Sequence, residues 1–283
     1  MAETKATHDE FGSLVDGYGN EFKIPSYSMK DLRDAVPLHC FERSALTGFS
    51  YIARDLFLLT ANFYLFYTLV TPEYIPNWYV RVGLWSTYAF IQSLFATGIW
   101  VMAHECGHQA FSEYRILNDT TGWIIHSSML VPYFSWKLSH KQHHAIHNNI
   151  QKDMQFVPKE REDYGKHTGK AEHSSWECTE DTPVATLLEL LKQQILGCPA
   201  YLLANATGSK SGPGVNHFNP SSPLYNRGDR YLILLSDLGI GITVGGLWYL
   251  GYSCGWTNLF KWYIAPYIWL NHWLGMSSAS SRP

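Results

Sequence analysis

Hydrophobic and polar residues fall in long blocks along this chain. Residues 1–50 are polar and mixed in charge, with a helix start at Ser28-Met29-Lys30-Asp31-Leu32 and a stop at Pro37. Residues 56–72 carry no charge and are rich in Leu, Phe and Tyr, and residues 82–103 are also uncharged. A helix that crosses a bilayer needs about 20 mostly apolar residues. The second block has that length, and the first reaches it if Arg54 and Asp55 sit at the interface. Pro72-Glu73-Tyr74-Ile75-Pro76-Asn77-Trp78 between them reads as a short turn, so the pair predicts a helical hairpin.

A long polar stretch follows, from about 104 to 230, with two shorter apolar segments inside it. Segment 121–138 is broken by Pro132 and polar residues, and is expected to lie along the interface or re-enter. Segment 184–204 is amphipathic, with Glu189 and Lys192 among leucines, and 207–223 reads as a Gly, Ser, Asn and Pro-rich loop. A second hairpin is predicted at about 231–252 and 256–274, with Asp237 early in it and Lys261 near its turn.

Composition agrees with these blocks. Charged residues make up 16% of the 283, against roughly 25% in a typical soluble domain. Aromatics reach 15%, including 11 Trp and 18 Tyr, which fits interfacial belts. The mean hydropathy of -0.15 leaves a substantial part of the chain for water. A net charge of -3 with no basic block argues against nucleic acid as a partner. Five Cys with no C-x-x-C pair read as reduced thiols. The first fifty residues show no cleavable signal pattern, so insertion is expected to use an internal span. Six of the 21 Lys and Arg lie in 1–55 and twelve in 104–230, which places those regions on the cytosolic side and both hairpin turns on the other. The expected fold is therefore an all-α integral membrane protein: two transmembrane hairpins and a cytosolic helical cap.

The chemistry lies where the apolar blocks end. His104-Glu105-Cys106-Gly107-His108 follows the second block directly, and His140-Lys141-Gln142-His143-His144 follows segment 121–138, with His147 close behind. Residues four apart share a helix face, so His104 with His108, and His140 with His144, could each grip one ion, with His143 beside the second pair. Imidazole suits iron, copper, nickel and zinc. His104-Glu105-x-x-His108 also fits the zinc-protease pattern, which keeps an intramembrane zinc metalloprotease as an alternative. In a metal site of another kind, Glu105 would support a ligand imidazole. Cys106 points off the histidine face and reads as a packed thiol. His8, His39, His167, His173 and His217 read as solvated or locally hydrogen-bonded, His126 and His147 as structural, and His272 as a partnered core histidine. Asp237 reads as a polar group buried between helices or near the interface, and Glu160-Arg161-Glu162-Asp163 as a solvated loop.

Beyond the histidines, "HECGHQAFSEY", "NDTTGWIIHSSMLVPYFSWKLSHKQHH", "KDMQFVPKERE", "GVNHFNPSSPLY" before "LILLSDLG", and "GGLWYLG" with "NHW" resemble the fungal membrane-bound Δ12 (oleate) fatty acid desaturases, over roughly residues 40–274. The resemblance implies that His104, His108, His140, His143 and His144 hold part of a centre of two non-haem irons, facing the cytosol in the endoplasmic reticulum membrane. It implies O2-dependent insertion of a cis double bond into an oleoyl chain, with an acyl lipid as substrate and a separate cytochrome b5 as electron donor. The family carries a third H-x-x-H-H box past its last hairpin, and the only such pattern here is His140–His144. The expectation drawn from this departure is a polar tail over 1–50, an incomplete desaturase domain over 51–274, an unrelated tail over 275–283, and weak or absent activity. A non-catalytic partner of a longer desaturase is the remaining alternative. Regioselectivity and the acyl carrier stay open at this point.

Overall fold

The computed structural model describes residues 27–147, 149, 152, 153, 155, 157, 182–208 and 214–279. Among the described residues every regular element is helical. His8, His167, His173, Cys178 and the charged run 160–163 lie outside them. The chain divides after Glu42 into two units. The first contains α1 (Met29–Asp34), started by a reciprocal cap between Ser28 and Asp31, and a 3-10 turn at Leu38–Phe41.

The second unit begins with α2 (Ala45–Leu69) and α3 (Trp78–Gly107), the predicted first hairpin. Ser44 caps α2 by accepting from Thr47 N, and Asn77 caps α3 by accepting from Tyr79 N and Val80 N. The helices run antiparallel and are bonded through their middles. Asn62 Nδ2 donates to Gln92 Oε1 at 2.7 Å, and Gln92 Nε2 donates to Leu59 O at 3.3 Å. Such amides lower the hydropathy of both helices. Among the described residues, only Arg227–Cys254 is long and apolar enough to cross a membrane by length and composition.

Segment 121–138 is not one element. It splits into α4 (Arg115–Ser128) and α5 (Tyr133–Ile146), with Leu130 at φ 57 and Pro132 in the corner between them. After α6 (Pro183–Ala204) come α7 (Arg230–Cys254), the short α8 (Trp256–Leu259), a π turn at Phe260–Ile264, and α9 (Ala265–Ala279). Gly255, at φ 90, makes the reversal after α7. The helices of this second pair then separate: α7 rests on α4 and α5, and α9 rests on α3 and α6.

Two ends of this second unit result. At one, Lys261 Nζ lies 4.9 Å from the Trp85 ring, and Tyr88 OH donates to Trp262 O, so the turns of both helical pairs share that end with exposed Trp78, Tyr79 and Trp256. At the other, Ile52, Cys106, Phe111, Tyr133 and Phe134 form a core joining α2, α3, α4 and α5 directly beside the histidines. Burying each such large apolar side chain is worth about 1.5–3 kcal/mol, so this core fixes the end of α3 against α5.

Candidate metal centre

His104 and His108 project from the last turn of α3, and His140, His143 and His144 from the second half of α5. The two helices bring the boxes together. His104 Nε2 lies 2.9 Å from His140 Nε2, His108 Nε2 lies 3.4 Å from His104 Nε2, and His144 Nε2 lies 3.1 Å from His140 Nε2. The ligand atoms of His104, His108 and His140 all fall within 4.8 Å of one another. Gly107 permits this approach, because a Cβ there would stand 2.7 Å from the Trp136 ring.

The outer nitrogens of His104, His140 and His143 are occupied. His104 Nδ1 meets Glu105 Oε1 at 3.0 Å, His140 Nδ1 meets Gln155 Oε1 at 2.8 Å, and His143 Nδ1 meets both Asp153 oxygens at 2.8 and 2.9 Å. An acceptor facing Nδ1 favours the tautomer with the proton on that nitrogen and the lone pair on Nε2. In that tautomer His104 and His140 turn two lone pairs toward each other across 2.9 Å. Without a cation between them that contact is repulsive; around an ion with N–metal bonds of about 2.1 Å it is the spacing of neighbouring ligands. The residues fit a metal. Burial also disfavours the charged form of three rings in the cluster: it pushes His140 down to about 3, and lowers His108 and His144.

An aromatic floor supports the rings. Trp136 stacks on His140 with centroids 4.5 Å apart, and Trp100 on His104 at 5.6 Å. His126 lies beyond both indoles, fully buried, with burial pushing its pKa down to about 3; neither of its nitrogens has a well-formed hydrogen bond. His126 is thus not among the grouped ligand atoms of His104, His108 and His140. His147 is exposed, with Nδ1 on His144 O, and His272 packs between Trp269 and Trp273. His39 is exposed. His217 corrects the expectation of a solvated group: it is fully buried, Nε2 lies 3.3 Å from Ser139 Oγ, and Tyr201 lies against its ring. Asp237 Oδ1 is buried without a partner among the described residues. Cys106 is in the core, off the histidine face, as its position predicts.

Several residues in this arrangement carry no sequence signal of their own. Asp153 and Gln155 lie in an irregular segment, which Thr207 pins by donating to Gln155 O at 2.6 Å. Helix α5 has no side-chain cap of its own; Ser236 of α7 supplies one, accepting from Phe134 N at 2.9 Å and Ser135 N at 3.3 Å.

The pattern of the fatty acid desaturases matches residues 76–281. The chain belongs to that family. It is 46% identical over 282 residues to an oleate hydroxylase of Claviceps purpurea, covering 94% of this chain and 59% of that relative. It is 38% identical over 269 residues to a Δ12 fatty acid desaturase of Mortierella alpina (93% and 66%), and 37% identical over 255 residues to the Δ12 desaturase of Arabidopsis thaliana (88% and 62%). The chain spans about six-tenths of the length of these curated relatives. Family membership gives the zinc-protease alternative no support, and neither does the geometry: Glu105 is engaged with the His104 imidazole, and box two has a place in the same cluster.

Proposed function

We propose that this chain carries the histidine-box region of a membrane acyl-lipid desaturase that converts oleoyl to linoleoyl groups with O2. The 2.9 Å approach of His104 Nε2 to His140 Nε2, which joins the two boxes, is the observation that carries this reading. His104, His108, His140, His143 and His144 would hold two non-haem irons in part. Bound iron would supply the oxidising power that removing hydrogen from an unactivated methylene requires. The chain's own residues do the remaining work. Glu105, Gln155 and Asp153 fix ring tautomers, and Trp100, Trp136 and His126 form a wall that excludes water from the inner side of the cluster.

The shared end of both turns supports two spanning hairpins, α2 with α3 and α7 with the helices after it. On this reading the histidines face the cytosol at the endoplasmic reticulum membrane, the desaturase domain begins at about residue 51 after a polar stretch (1–50), and cytochrome b5 supplies electrons. The hydroxylase among the relatives favours a second reading, hydroxylation of the same oleoyl chain at the same centre. Purification in detergent with metal analysis tests the centre. Iron in the wild type that is lost in His140→Ala is expected; zinc, with peptide cleavage lost in Glu105→Gln, would overturn it. Lipid profiling of yeast expressing the protein separates the two reactions, by a second cis double bond or by a new hydroxyl.

A further inference from the structure

We infer that Asp119 is a positioning residue that sets the spacing between the two histidine boxes. This rests on the metal reading above. Asp119 lies on α4, which carries no box histidine, yet its carboxylate bonds residues that flank both boxes. Oδ1 accepts from Gln109 Nε2 at 3.2 Å, from Tyr133 OH at 3.4 Å and from Lys137 Nζ. Oδ2 accepts from Arg115 Nε at 3.4 Å.

The location of these donors gives the carboxylate its role. Gln109 follows His108 immediately. Its backbone is left-handed, at φ 61, which a non-glycine residue holds only when its surroundings over-determine it. The same amide donates to Cys106 O at 2.9 Å, so Asp119 grips the chain exactly where box one leaves α3. Lys137 sits one helical turn before His140, on the stripe of α5 that also carries His144. Tyr133 starts that helix, and its ring lies so close to α4 that a Cβ on Gly122 would stand 2.3 Å from it. An exposed ion pair contributes about 0–1 kcal/mol. Here the side chains of Lys137 and Asp119 are only 15% and 19% exposed, and two further donors share Oδ1.

A clamp of this kind answers a physical need. Before metal binds, the cluster has little cohesion of its own. The apolar core holds the end of α3 against α5, and Asp119 adds polar contacts from α4 to the residues beside each box, without touching a box histidine.

The test is a Co2+ titration of the full chain in detergent, followed by visible absorption and accompanied by thermal unfolding. Asp119→Asn is expected to weaken Co2+ binding about tenfold or more, the scale seen when groups outside a ligand shell are removed, and to shift the cobalt bands. Asp119→Glu restores part of both, and Arg115→Gln, which removes only the exposed arm, changes neither. Wild-type affinity and bands in Asp119→Asn, even with a lower Tm, would overturn the clamp. If Asp119→Asn does not fold, Gln109→Ala and Lys137→Met decide by the same titration: weakened binding in both supports the clamp, and unchanged binding in both overturns it. No Co2+ binding by the wild type would overturn the metal reading itself, and the clamp with it.

Discussion

His104 and His108 ride the last turn of a 30-residue helix, whereas His140 and His144 sit on a 14-residue helix with no cap of its own. Box one needs little beyond its helix: α3 is capped by Asn77, packed along α2, and carries its supporting acid, Glu105, next to the ligand. Box two is oriented from outside, by Ser236 of α7 at the helix start and by Asp153 and Gln155 on the segment beyond its end. The supporting acids differ in the same sense: the Glu105 side chain is 42% exposed and that of Asp153 is 2% exposed. Identical ligand spacing in sequence thus hides two means of support, one local and one borrowed.

The largest expected effect comes from the box-two side, where His140 of α5 and two histidines packed against that helix, His126 and His217, are shielded from water. Burial holds His140 and His126 at about 3 and His217 at about 4, below the ordinary value of 6.5. Their folded pKa values are depressed, so the unfolded chain binds protons that the folded chain refuses. Stability of the metal-free protein should be level above pH 7 and fall steadily as pH drops through 6.5 toward 4. Thermal unfolding across that range checks it, and a Tm that rises on acidification would contradict it.

The next effect separates the boxes. Asp153→Asn should weaken metal binding about 10–100-fold by freeing His143, whereas Glu105→Gln should cost at most about 1 kcal/mol because its pair is half in water. Isothermal titration with Co2+ compares them, and equal losses would erase the distinction drawn here. Smallest is the borrowed cap. Ser236→Ala should lower stability by about 1 kcal/mol, and hydrogen exchange should rise at the start of α5 and not along α3. Exchange that rises equally in both helices would argue that Ser236 acts through general packing.

The place of His104 and His108 at the end of a long helix, and the helical pair that includes it, were legible, because both follow from local spacing: two uncharged blocks around a proline-bounded turn and imidazoles four apart. Glu105 was legible too, as a neighbour in sequence. The split of 121–138 was harder, because its apolar run continues through a corner set by Pro132 and a left-handed Leu130. Asp153, Gln155, Ser236 and Asp119 were not assigned roles, since each acts across a gap in sequence and follows no helical or strand period. His217 looked like a solvated loop residue for the same reason; its burial against Ser139 and Tyr201 is a tertiary contact.

The central claim is that imidazoles from both boxes surround one metal site. X-ray absorption at the iron edge of the loaded, purified chain tests it most directly. The account predicts imidazole nitrogen around the iron, with the imidazole signal reduced in both His108→Ala and His144→Ala. Iron without imidazole scattering, or a signal that responds to only one of the two boxes, would contradict it.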